Sequence, residues 1–275
     1  MTTLMGIVNA SPESFSDGAA VGGTDAQLER ALELRDDGAG IIDVGGESGV
    51  TDRAPISEEE EIARVVPLVE RVAAEGVTVS VDTWKAGVAR AALAAGASIV
   101  NDVSGLRDIE VADACAEAGA TLVVTHSGAA PKQKLFPAYE DVAREVVAFL
   151  RERVERARAR GVERFVLDPG PDLGKAPADT VAALRALPDV VALGHPVLLA
   201  VSRKDFVGAL TGRPPGERLA GTLAAVGAGL DAGASILRVH DVRAAADYVA
   251  VRAALRGDRE VSPELRLDPS LRRAV

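Results

Sequence analysis

The chain has 275 residues, 48% hydrophobic and 26% charged, a balance that excludes a disordered or fibrous protein. Its single cysteine, Cys115, excludes a disulfide scaffold and a multi-cysteine zinc site, and points to a reducing, cytoplasmic setting. A net charge of −10 argues against nucleic-acid or anionic-membrane partners, and no signal peptide or unbroken apolar span is visible.

Short apolar runs alternate with segments of helical period along the whole chain. A strand over Leu4–Val8 is followed by a helix over Gln27–Arg35, then a strand over Gly40–Val44 and a helix over Glu59–Ala74. Next come a strand at Val77–Val81, a helix at Ala86–Ala95, a strand at Ser98–Val100 and a helix at Val111–Ala118. The second half gives strands at Thr121–Thr125, Arg164–Leu167, Val197–Val201 and Ser235–Val239. Their helices are Asp141–Ala159, Ala178–Leu187, Glu217–Ala232 and Val242–Leu255. Thr24–Gln27 and Ser57–Glu60 fit capping boxes, and Gly38, Gly76, Gly96, Gly119, Gly161 and Gly233 stand where helices should stop.

Eight units fill Leu4 to Leu255, about 31 residues each, which suits βα repeats. The expected fold is a (β/α)8 TIM barrel, an α/β architecture, in one domain over 1–275 with a polar tail from about 257. A doubly wound open sheet is the rival. It would be expected to carry a glycine-rich phosphate loop after its first strand, where this chain reads NASPESFSDG.

Active sites of barrels lie where strands end and βα loops begin. The eight strand ends here are all polar: Asn9, Asp43, Asp82-Thr83, Asn101-Asp102, His126, Asp168, Ser202-Arg203-Lys204 and Arg238-Val-His240-Asp241. Taken singly, each has a plain structural reading as a helix cap or a solvated side chain. Asp43 is the strongest structural case because a Gly-Gly turn follows it. His195 belongs to the opposite rim, Cys115 reads as a small buried hydrophobe, and Glu58–Glu61 suits a helix dipole. As a set they say more. Asp82, Asn101 and Asp168 offer acceptors and an amide to a flat heterocycle rich in N–H donors, while Lys204, Arg238 and His240 suit an anionic leaving group. No HExxH, CxxC, GxSxG or P-loop is present.

Seven ordered stretches, MGIVNASPESFSDG, IIDVGGES, VSVDTWK, IVNDVSG, LDPG, SRKDFVGALTG and RVHDV, resemble the dihydropteroate synthase family from Met5 to about Leu255. The resemblance implies a homodimeric transferase of folate biosynthesis. It would condense 6-hydroxymethyl-7,8-dihydropterin pyrophosphate with p-aminobenzoate and release pyrophosphate. It also implies that Asp82, Asn101, Asp168 and Lys204 bind the pterin, and that Arg238 and His240 bind pyrophosphate. Lys204, Arg238 and His240 are the implied catalytic groups, Asn9 the contact to Mg²⁺, and Phe15 an aromatic enclosing p-aminobenzoate.

Three departures from the family pattern leave the implied pterin and pyrophosphate side nearly intact and alter the arylamine side, the second also losing an apolar contact beside the pterin. ESTRPG becomes Glu47-Ser48-Gly49-Val50-Thr51-Asp52-Arg53-Ala54-Pro55, Met-His becomes Thr125-His126, and DPGFGFGK becomes DPG followed by Pro171-Asp172-Leu173-Gly174-Lys175. They resemble the divergent second copy of the family found in some actinobacteria. The implied alternative is a pterin-binding paralogue with little or no synthase activity, or with another amine acceptor. A pterin-dependent methyltransferase would share the Asp/Asn contacts but would not need Lys204, Arg238 and His240 together.

Overall fold

The computed structural model describes residues 2–10, 23–47 and 54–272. Eight strands run parallel: β1 Thr3–Asn9, β2 Ile41–Gly45, β3 Thr78–Asp82, β4 Ile99–Asp102, β5 Thr121–Thr125, β6 Arg164–Asp168, β7 Leu198–Leu199 and β8 Ile236–Val239. Their order is β6-β5-β4-β3-β2-β1-β8-β7. A parallel bridge between Leu167 and Val197 joins the two ends of that order, so the sheet closes into the expected (β/α)8 barrel.

The helices are α1 Thr24–Asp36, α2 Glu58–Ala74, α3 Ala86–Ala94, α4 Glu110–Ala118, α5 Val142–Arg158, α6 Pro177–Arg185, α7 Leu187–Val191, α8 Asp205–Thr211, α9 Leu219–Asp231 and α10 Val242–Arg256. Two short ones, α7 and α8, were not expected. Pro188 at the start of α7 breaks the pattern after Arg185, and α8 follows the Ser-Arg-Lys turn directly. The Ser57 cap is present, its hydroxyl accepting from Glu60 N at 3.2 Å. Thr24 is not a cap, because Gly23 holds that position without a side-chain bond. The six expected stop glycines all have positive φ, from 59° at Gly119 to 111° at Gly38 and Gly96. That region favours a residue without Cβ.

Strand alternation sorts the core into two layers. Met5, Ile41, Ile99, Val123, Val166, Leu198, Ala200 and Ile236 fill the barrel interior. Leu4, Ile42, Val81, Val100, Leu122, Val124, Leu167, Leu199, Leu237 and Val239 face the helices. The alternation also fixes which polar residue at each strand end points into the barrel mouth. Residues 257–272 are exposed along their length, with Val261, Leu265, Leu267 and Leu271 uncovered.

Candidate active site

Counting two residues on from Ile41, Ile99, Val123, Val166, Ala200 and Ile236 gives side chains that face the mouth: Asp43, Asn101, Thr125, Asp168, Ser202 and Arg238. Asp82 is paired in register with Gly45 and Asn101, and His240 is two residues beyond Arg238. Asp82, Asn101, Asp168, Arg238 and His240, singled out by their places at the ends of apolar runs, therefore converge on one rim. Asn9 ends β1 beside Gly45, where a Cβ would lie 3.8 Å from its Oδ1. Phe15 and residues 48–53 lie outside the described residues.

Arg238 is the electrostatic centre. Its Nε donates to Asp43 Oδ2 at 2.6 Å and its Nη2 to Asp82 Oδ2 at 2.6 Å. Asn101 Nδ2 donates to the same Asp43 oxygen at 3.2 Å. Burial alone would lower the Arg238 pKa, but Asp43 and Asp82 outweigh it and hold the guanidinium above its ordinary value. Burial pushes Asp82 up to about 7 against the pull of Arg238, with Asp43 and Glu61 adding to the rise.

Asp168 is raised by burial, and the N–H of Gly170, donating to its Oδ1 at 2.7 Å, offsets part of the rise together with Lys204 and Lys175. Lys204 is lowered by burial against the attraction of Asp172 and Asp168. Its turn is rigid. Arg203 has φ 57°, its N–H is held by Thr222 Oγ1 at 3.0 Å, and Arg218 Nη1 donates to Arg203 O and Lys204 O at 2.8 and 3.1 Å. Arg203 also forks onto Asp241 at 3.1 and 2.7 Å. The charge of His240 is set by what surrounds it. Burial, with Arg238 and Arg203 nearby, pushes its pKa down to about 4. Ser202 Oγ accepts from His240 N at 3.2 Å and pairs with Nδ1 at 2.9 Å, which anchors the ring and leaves Nε2 as the nitrogen without a protein partner among the described residues.

Two strand ends depart from expectation. His126 does not face the mouth: its ring packs against Phe149 of α5 at 4.8 Å, and burial, with Lys175 nearby, pushes its pKa down to about 3. Thr125 takes the inward place. Asp43, expected to be structural because of the following glycines, is a fully buried hub of the site. Asp102 by contrast points outward and accepts from the N–H groups of Ser104 and Leu106 at 2.7 and 2.9 Å. The usable signal in the sequence is parity: Asp43 and Thr125 each stand two residues beyond an interior aliphatic.

Lys175, which closes the sixth-loop motif, and Glu61, in the acidic first turn of α2, are buried, and their sequence patterns assign neither of them a role in the site. Lys175 is 1% exposed and donates to the carbonyls of His126, Gly170 and Leu173 at 3.2, 2.8 and 3.4 Å, tying the fifth and sixth loops together. Lys85 donates to Glu47 and Glu61 at 2.8 and 2.7 Å behind the second loop. Among the described residues no group of three or more His, Cys, Asp or Glu could hold a metal. Cys115 is buried, its thiol pushed up to about 12 by burial, and His195 stacks edge-on to Phe165 away from the mouth.

The family model for pterin binding enzymes matches residues 5–240. The chain is 43% identical to dihydropteroate synthase of Bacillus subtilis over 88% of its length and 84% of the relative's. The chain belongs to the dihydropteroate synthase family. Among solved structures, the family's fold is matched by the Xanthomonas albilineans synthase with 4-aminobenzoic acid at a TM-score of 0.87, with 42% identity and 93% of each chain covered. The same enzyme in complex with 7,8-dihydropteroate superposes with a TM-score of 0.84, covering 93% of this chain and 94% of that one.

Proposed function

We infer that the protein joins a dihydropterin, activated as its 6-hydroxymethyl pyrophosphate, to p-aminobenzoate, forming dihydropteroate and releasing pyrophosphate. The observation that carries this reading is the row of inward acceptors Asp82, Asn101 and Asp168 beside Arg238 and His240 on one barrel rim. In the reaction the bond from the pterin methylene to the pyrophosphate oxygen breaks, and the arylamine nitrogen bonds to that methylene and loses a proton. Asp82, Asn101 and Asp168 would hold the ring. Arg238 Nη1, which has no hydrogen bond among the described residues, and His240 Nε2 would face the departing anion, with Lys204 between ring and acceptor.

Mg²⁺ fits this site in one way. No protein cage surrounds it among the described residues, and Asn9 offers one rim amide, so the ion would be held mainly by pyrophosphate oxygens and water with Asn9 as the protein contact. When bound it would neutralise charge on the leaving group.

A homodimer is supported by the uncovered Val251 and Leu255, one turn apart on α10. A cytoplasmic setting is supported by the single, buried thiol, and no described helix is long and apolar enough to cross a membrane. The reading takes 1–275 as one pterin-binding barrel domain with its tail from about 257. Incubation with dihydropterin pyrophosphate, p-aminobenzoate and Mg²⁺, with mass detection, should yield dihydropteroate. Tight pterin binding with no product would instead favour the paralogue without synthase activity.

A further inference from the structure

In the closed sheet β5 lies between β4 and β6. A ring held by Asn101 at the end of β4 and by Asp168 at the end of β6 must cross the inward face of β5. Thr125 is paired in register with Asp168, and it stands two residues beyond Val123, which belongs to the interior layer. It is therefore the β5 side chain that meets such a ring.

Its chemistry is unusual for that place. Thr125 is 0% exposed and Asn101 1%, and each has an oxygen without a hydrogen-bond partner: Thr125 Oγ1 and Asn101 Oδ1. Asp43 Oδ1 and Ser80 Oγ, on neighbouring inward positions, are unpartnered as well. Buried polar atoms are nearly always paired, so four unpartnered oxygens on adjoining inward positions call for an explanation, and the polar edge of a ligand supplies one. The Thr125 methyl is directed towards Gly170, whose added Cβ would come within 3.2 Å of it, so the hydroxyl takes another direction.

We propose that Thr125 is a specificity-determining residue of this pocket, its hydroxyl hydrogen-bonding the polar edge of the bicyclic ring between Asn101 and Asp168. The proposal rests on the pterin site described above. A hydroxyl both donates and accepts, so it suits a ring edge that alternates N–H with carbonyl or ring nitrogen.

The test is calorimetric titration of the native protein and its variants with 6-hydroxymethyl-7,8-dihydropterin pyrophosphate, and separately with inorganic pyrophosphate. Thr125→Val, equal in shape, should weaken pterin binding roughly three- to tenfold, the scale of one neutral hydrogen bond. It should leave pyrophosphate affinity unchanged, and the melting temperature of the free protein should hold or rise because an unpaired buried hydroxyl is gone. Thr125→Ser keeps the hydroxyl and should retain wild-type affinity. Equal affinity of the Val variant, while Asp168→Ala binds weakly, would overturn the inference alone. Loss in Ser as large as in Val would assign the effect to the methyl and overturn it too. If neither Thr125→Val nor Asp168→Ala changes binding, the pterin site itself is misplaced and the inference falls with it.

Discussion

Arg238 and Asp43 lie 195 positions apart and meet at 2.6 Å in the barrel mouth, where the same guanidinium also holds Asp82. The pair couples the first half of the chain to the last strand. Removing one member of a buried ion pair leaves the other charge unpaired, at a cost of about 3–5 kcal/mol. Arg238→Ala should therefore lose both stability, by about 3 kcal/mol in urea unfolding, and pyrophosphate binding. Arg238→Lys keeps the charge but not the fork, and should recover part of the stability with little of the anion affinity. Full stability of the alanine variant would show that Asp43 and Asp82 do not depend on it.

Asp168 faces the mouth and spends one carboxylate oxygen on the N–H of Gly170 at 2.7 Å. Asp168→Ala should weaken dihydropterin binding at least tenfold, since losing the partner of a desolvated polar group costs about 1–3 kcal/mol. The Gly170 turn adds a stability loss of about 1 kcal/mol. Unchanged affinity in calorimetry would remove Asp168 from the ring site.

Inorganic pyrophosphate should raise the melting temperature of the native protein, because a ligand that binds only the folded state stabilises it by mass action, about 2.7 kcal/mol at a hundredfold excess over Kd. Mg²⁺ should enlarge the shift, and Asn9→Ala should abolish that enlargement without abolishing the shift. If His240→Ala keeps the whole response, the anion is held elsewhere.

His126 has its pKa pushed down to about 3 by burial, whereas the unfolded chain titrates it near 6.5. Between those values the unfolded state binds the proton and the folded state does not. Stability from this group therefore falls as pH drops below about 6.5, by up to about 1.4 kcal/mol per pH unit. Asp82 and Asp102, raised to about 7 and about 6 by burial, act in the opposite direction over the same range, so the whole-protein curve mixes signs. Comparison with His126→Phe isolates the histidine. The variant's stability relative to wild type should improve by about 2 kcal/mol from pH 7 to pH 5. Parallel curves would mean that His126 is protonated without cost.

The sequence by itself determined the repeat, the barrel and most of the polar rim. An apolar run and a helical period about every 31 residues require βα units, and polar residues closing all eight runs place a site at one end. Tertiary structure decided which of two adjacent polar residues faces that site. Asn101 and Asp102 are equivalent in sequence, as are Thr125 and His126, yet in each pair one points into the mouth and its neighbour into the helix layer. A strand sends successive side chains to opposite faces, and only the register of a closed sheet says which face is inside. The same closure turned Asp43 from a turn residue into the partner of Arg238, and favoured the uncharged form of His240 by burying it beside two guanidinium groups. Charge state and long-range pairing depend on what surrounds a residue in space, and no local pattern encodes that.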